Sequence, residues 1–230
     1  MTSPIERDDP SIAPEVARRN STVAVVAAGD YIGAAIARRF ARGGYTLFGG
    51  RRHGDKLAPL VSQIEAGGGV CIGRALDARQ EQSVTRFLAE AKAAAPLEIA
   101  VFNIGANVNS PIRETTERVF HKIRELACYA GFLTGQEAAR HMVLRSGGSI
   151  FFTGATANLR GAGDYAAFAS AKFGLRTVAQ RMARELGPKE HPCRASGDRR
   201  RCRHRMGARA HPSAIRRGCR ATGTGSASEP

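Results

Sequence analysis

Between residues 22 and 186 the chain alternates two hydrophobic patterns. Short runs rich in β-branched and aromatic residues occur at 22–28 (TVAVVAA), 45–50 (YTLFGG), 69–76 (GVCIGRAL), 98–105 (EIAVFNIG) and 149–155 (SIFFTGA). Between them lie longer stretches with apolar residues at helical spacing, at 32–42, 55–66, 81–94, 116–144 and 165–186. The first kind reads as strands and the second as helices. Strand, helix and strand repeated in this way imply parallel strands joined by right-handed crossovers. The strand runs are apolar on both faces, as in a sheet covered by helices on each side. The pattern predicts an α/β fold, a doubly wound parallel sheet of Rossmann-like type.

The pattern stops at Gly187-Pro188. We therefore divide the chain into a flexible segment at 1–20, a Rossmann-like α/β domain at 21–189 and a basic, disordered tail at 190–230. A hydrophobic content of 43% is enough for a core in a chain of 230 residues. No apolar run reaches the ~18 residues of a membrane span. The first twenty residues are charged and Pro-punctuated, unlike a secretory signal. Five Cys without regular spacing do not make a disulfide framework. The expectation is a cytoplasmic protein with reduced thiols and no membrane partner.

Net charge is +15, but its distribution argues against nucleic acid as the partner. Residues 190–230 hold ten Arg against two Glu and one Asp, so +7 of the total sits in the tail. Cys193, Cys202 and Cys219 lie there too, without the paired close spacing of a metal site, and no metal is expected. A shifted reading frame explains the tail better. Joining the last two bases of each codon to the first of the next makes Met206-Gly207 a Trp codon, in a chain that has no Trp. From His191 the same shift permits Ile-His-Val-Ala-His-Leu-Val-Ile-Asp, a good buried strand. On this reading the sheet lacks the strands that should follow its last helix.

The first strand run leads into AAGDYIGAAIA. A Gly-rich turn before a helix lets backbone N–H groups approach a pyrophosphate, and Gly29, Tyr31, Ile32 and Gly33 form that turn. After the second strand come Arg51 and Arg52, where an NAD enzyme tends to place an acid. Two guanidinium groups favour the 2′-phosphate of NADP, although NAD stays open and a solvated basic loop is the plain alternative. Asp77, with Ala78 beside it, follows the third strand and could meet the adenine edge; otherwise it is a carboxylate at a helix N-terminus.

Taken in order, the Gly turn, Asp77, the NIG at Asn103–Gly105 and the helix carrying Lys172 resemble the short-chain dehydrogenase/reductase family. The resemblance covers 21–189. It implies a seven-stranded NAD(P)-binding domain, assembly as a homo-dimer or homo-tetramer, and hydride exchange between nicotinamide and a small carbonyl or alcohol substrate. It implies that Asn103, Gly105 and Lys172 touch the cofactor. The chain departs from the family in the turn, with Ala27 at the usual first Gly and Tyr31 at the middle one. Tyr31 would sit over the pyrophosphate or be pushed aside.

The catalytic set departs further. Cys128 stands at the family's Asn, Ala155 at its Ser and Phe168 at its Tyr, which leaves Lys172. A carbonyl that accepts hydride needs a proton from a positioned acid, and Phe168 has none to give. Thr153, Thr156 and Tyr165 are the candidate substitutes. Thr153 shares Ala155's side of the strand. Tyr165 is seven residues before Lys172, about 10 Å of helical rise. Asn158 is a further polar candidate or a turn residue, and Cys128 reads first as a buried apolar side chain. Three readings stand together: an NADP-preferring oxidoreductase of atypical chemistry, an NADP-binding pseudoenzyme acting as sensor or oligomer partner, and a chain made defective by its tail.

Overall fold

A computed structural model of the chain describes residues 17–187. The tail at 190–230, with its reading frame and any strand it encodes, lies outside the described residues, as do residues 1–16. Five strands form one parallel sheet: β1 (Thr22–Val26), β2 (Thr46–Arg51), β3 (Val70–Ala75), β4 (Leu97–Phe102) and β5 (Ser149–Phe152). Their order is β3-β2-β1-β4-β5. The helices are α1 (Ile32–Ala41), α2 (Ala58–Ala66), α3 (Glu81–Ala94), α4 (Glu117–Arg124), α5 (Ala130–Val143) and α6 (Ala166–Leu186). The doubly wound parallel sheet expected from the hydrophobic pattern is present.

Strand side chains alternate between two faces. Val23, Val25, Leu47, Cys71, Ile99 and Val101 pack against α1 and α2. Ala24, Val26, Phe48, Ala100 and Phe102 pack against α3 and α5 on the other face. Both faces are covered, which is why the strands read as unbroken apolar runs. Arg19, placed by sequence in the leading segment, is tied down: its N–H donates to Gly44 O at 2.8 Å, its Nε donates to Gly43 O at 3.0 Å, and its guanidinium lies 4.8 Å from the centre of the Tyr45 ring.

Three helix readings need correction. The helix at 116–144 is interrupted by one π-helical turn, Glu125–Tyr129, between α4 and α5. Thr116 is its N-cap, with Oγ1 accepting from Val119 N at 3.3 Å. The stretch 55–66 begins as a 3-10 turn, Gly54–Leu57, and becomes α-helical at Ala58, with Pro59 in the first turn where its missing N–H costs nothing. Tyr165 is not inside α6: it is the N-cap, with φ −126° and ψ 28°, and its carbonyl accepts from Ala169 N at 2.8 Å.

The turn after β1 carries strain. Ala27 has φ 64°, a left-handed conformation in which its Cβ crowds the backbone. α1 then comes so near that a Cβ on Gly33 would overlap the Ala27 carbonyl oxygen and lie 2.8 Å from Ala28 Cα. Urea unfolding should find Ala27→Gly more stable by ~0.5–1 kcal/mol, through relief of the left-handed strain. Gly33→Ala should be less stable by about 1–3 kcal/mol, from overpacking against backbone that cannot yield.

Candidate active site

The chain leaves β1 towards β2 on one side, and after β3 it crosses to β4 on the other. At such a switch point the connections diverge and open a crevice beyond the C-terminal strand ends. Here the crevice lies beyond β1 and β4. The turn Ala27–Gly33 follows β1, Asn103–Gly105 follows β4, and Thr153 follows β5. α6 brings Lys172 to the same place.

A continuous set of hydrogen bonds joins these ends. Asn103 N donates to Val26 O at 3.0 Å, and its Nδ2 donates to Ala27 O at 3.3 Å. Thr153 Oγ1 donates to Asn103 Oδ1 at 2.9 Å, while Thr153 N donates to Phe102 O at 2.9 Å. Lys172 Nζ donates to Thr153 O at 3.0 Å and to Ile104 O at 3.2 Å. Lys172 is 2% exposed, and this burial pushes its ammonium below the usual 10.5. Lys172, Thr153 and Asn103 are thus brought together, whereas Gly105 is exposed in the loop.

The other catalytic candidates lie elsewhere. Thr156 does not turn inward; it is exposed on a short 3-10 turn, Thr156–Asn158. Asn158 serves that turn, its Oδ1 accepting from Ala155 N at 3.0 Å. Tyr165 pairs its backbone with Ser110, next in sequence to an open cleft of about 730 Å³ lined by 111–114, 162–164 and Ala166. Phe168 lies one helical turn before Lys172, with its ring centre 6.0 Å from Nζ. Phe168 and Cys128 both pack against one apolar cluster, made of Ala106, Ile123, Ala127, Ala167 and Ala171. Burial raises the Cys128 thiol pKa.

Two features of the turn after β1 fit a pyrophosphate group. A Cβ on Gly29 would meet nothing within 4 Å. The first N–H groups of α1, at Ile32 and Gly33, have no acceptor inside the helix. Tyr31 is 87% exposed and is therefore pushed outward, not laid across the turn.

The charged groups around the turn are paired. Arg51 holds Asp30 with both ends of its fork, Nη1 donating to Oδ1 at 2.8 Å and Nη2 to Oδ2 at 3.2 Å. This hydrogen-bonded guanidinium holds the Asp30 carboxyl below its usual range. Arg52 is exposed. Asp77 is gripped by Arg79, which donates from Nε at 2.9 Å, from Nη2 at 2.6 Å and from its backbone N at 3.1 Å, and this lowers the Asp77 pKa. Ala78 is buried beside it. Sequence reasoning missed Asp30 and Arg79. Arg79 carried a local signal, an Asp two residues before it, but nothing local links Asp30 to Arg51 across 21 positions.

Residues 21–194 match the short chain dehydrogenase family. The chain belongs to the short-chain dehydrogenase family. A short-chain dehydrogenase structure from Rhodopseudomonas palustris is 65% identical, covering 73% of this chain and 79% of that one at a TM-score of 0.72. The 3-oxoacyl-[acyl-carrier-protein] reductase MabA of Mycobacterium tuberculosis is 30% identical over 156 residues, 67% of this chain and 59% of that protein. A metagenomic short-chain oxidoreductase solved in complex with NADP shares the fold at a TM-score of 0.68 and 24% identity, covering 74% of this chain and 77% of that one. Against the first curated relatives the chain spans 59–64% of their length. Among the described residues no helix is long and apolar enough to cross a membrane, and no group of three His, Cys, Asp or Glu could hold a metal ion.

The Lys172 environment sets a sign for pH. Its folded pKa lies below its unfolded value of 10.5, so the unfolded chain binds more protons between the two. Stability from this group is fully present above 10.5 and is lost as pH falls through the lowered folded value. Urea unfolding of the native chain from pH 7.5 to 10.5 should therefore gain stability relative to Lys172→Met over the same window. A parallel course for the two proteins would mean that Lys172 does not feel its burial.

Proposed function

We propose that the chain is an NADP(H)-dependent oxidoreductase that exchanges hydride with a small carbonyl or alcohol substrate. The observation that carries this reading is Lys172: an ammonium 2% exposed, placed at the switch-point crevice and joined to Asn103 through Thr153. A lysine so buried needs a reason beyond stability, since an apolar side chain would fill the space at less cost. The reductase activity named for the mycobacterial relative, and the NADP held by the metagenomic neighbour, favour the same reading.

The bound nicotinamide cofactor supplies the hydride. The amides of Gly29–Gly33 would hold its pyrophosphate, and Lys172 its ribose hydroxyls. Arg51 and Arg52 would face the 2′-phosphate, with Asp77 and Ala78 at the adenine edge. Asn103 orients the strand ends. Thr153 Oγ1 has its proton committed to Asn103, and Tyr165 sits at the helix cap. Lys172 Nζ has two N–H groups on carbonyls and a third to offer. That third N–H would be taken by the ribose hydroxyls, so no side-chain acid is left for the carbonyl oxygen, and the site is slower by the roughly 10²–10⁴ that a positioned acid contributes.

A second reading is favoured by the apolar cluster around Phe168 and Cys128. There the chain binds the cofactor without turnover and acts as a sensor or an oligomer partner. Calorimetry with NADPH and NADH, followed by a panel of carbonyl compounds under NADPH, separates the two. We expect NADPH binding that Lys172→Ala weakens about tenfold or more, with slow carbonyl-dependent oxidation. Binding without turnover across the panel would move the assignment to the second reading. No binding by the full chain, but binding once the tail is re-read in the other frame, would assign the loss to the tail.

A further inference from the structure

We propose that Asp30 is a specificity-determining residue that competes with the cofactor's 2′-phosphate for Arg51. The proposal rests on the reading that the crevice takes a nicotinamide dinucleotide. Asp30 belongs to the phosphate turn itself, next to Gly29, so its backbone position is fixed by the turn. Its two carboxylate oxygens fill the two-pronged fork of Arg51, at 2.8 and 3.2 Å. A fork that matches a carboxylate also matches a phosphate, and it serves one of them at a time. Arg51 has little freedom to offer itself elsewhere: its side chain is 25% exposed, and Nη1 also donates to Lys56 O at 3.4 Å. Asp30 is the free partner, with its side chain 67% exposed. A recess of about 210 Å³ opens beside the pair, lined in part by Gly29, Asp30, Arg38 and Lys56.

The consequence is one of charge. A 2′-phosphate reaching Arg51 must displace Asp30 and then lie near the released carboxylate, a like charge. A 2′-hydroxyl makes no such demand and can donate to the carboxylate where it stands. Asp30 therefore lowers the preference for NADPH that Arg51 and Arg52 would otherwise create, and it makes the chain tolerant of NADH.

The test is calorimetric titration of the full chain with NADPH, NADH, 2′,5′-ADP and 5′-AMP, for the native protein and for Asp30→Asn, Asp30→Ala and Arg51→Ala. We expect both Asp30 variants to bind NADPH and 2′,5′-ADP about 5- to 50-fold more tightly, with NADH and AMP unchanged or weakened. Arg51→Ala should weaken NADPH and 2′,5′-ADP, and adding Asp30→Ala to it should restore little. Thermal unfolding checks that each variant is folded; Asp30→Asn, an exposed and isosteric change, is the variant on which the outcome rests. Unchanged or weaker NADPH binding in Asp30→Asn, while the native chain binds NADPH, overturns the competition and leaves the cofactor reading standing. Equal tightening of NADH overturns it as well. Failure of every nucleotide to bind any variant, with the tail as it stands and re-read in the other frame alike, overturns the cofactor reading, and this proposal with it.

Discussion

An ammonium group shut away from water must find oxygen inside the protein. Lys172 finds it in the carbonyls of Ile104 and Thr153, just beyond the ends of β4 and β5. That demand fixes where α6 can lie against the sheet. It also fixes the loops, because the carbonyls must be presented together and Thr153 must reach Asn103 from the neighbouring strand end. Asn103 then closes on β1 through the Ala27 carbonyl, at the residue whose left-handed backbone starts the phosphate turn. The position of the turn is thus coupled, through four residues, to the depth of one lysine. Such a network is satisfied only as a whole, since each member uses the group that its neighbour supplies.

The opposite end of the crevice obeys another rule. There the carboxylates are answered by guanidinium groups of the same chain, Asp30 by Arg51 and Asp77 by Arg79. Arg79 also reaches Glu125 on the π turn at 3.6 Å, so the segment after β3 is tied to the long helix. A row of basic residues in sequence therefore does not make an equally basic surface. Of the two arginines after Gly50, Arg51 is neutralised by a partner that the first βα turn provides.

The fold was legible because it depends on local periodicity. Alternation in the strands and helical spacing between them are properties of short windows, and the sheet has no other way to bury both faces. The placement of Lys172, Asn103 and Gly33 was legible because it depends on the strand end or helix on which they lie. The π turn was not, because one extra residue in a turn leaves the apolar spacing of Thr116–Leu144 almost unchanged while rotating the remainder of the helix. Asp30 was not, because its partner is fixed by tertiary contact alone. Tyr165 lies a single residue outside α6, although the pattern predicts a helix from 165. That is enough to change its direction, because the residue that caps a helix does not share the phase of the turns after it.

Physical coupling also bears on how far this chain stands from its relatives. Phe168 and Cys128, at places where the resemblance implies a tyrosine and an asparagine, pack against the same apolar cluster between the π turn and α6. α6 approaches so near that a Cβ on Gly174 would lie 2.8 Å from Cys128 Sγ. Both side chains are half-buried, with apolar residues packed against them. A half-satisfied polar group in such a place is worse than an apolar one. One apolar cluster holds Phe168 and Cys128 together. Lys172 escapes that logic because its acceptors are backbone carbonyls, which no side-chain substitution removes. The lysine's place is fixed by the ends of β4 and β5, which present those carbonyls together.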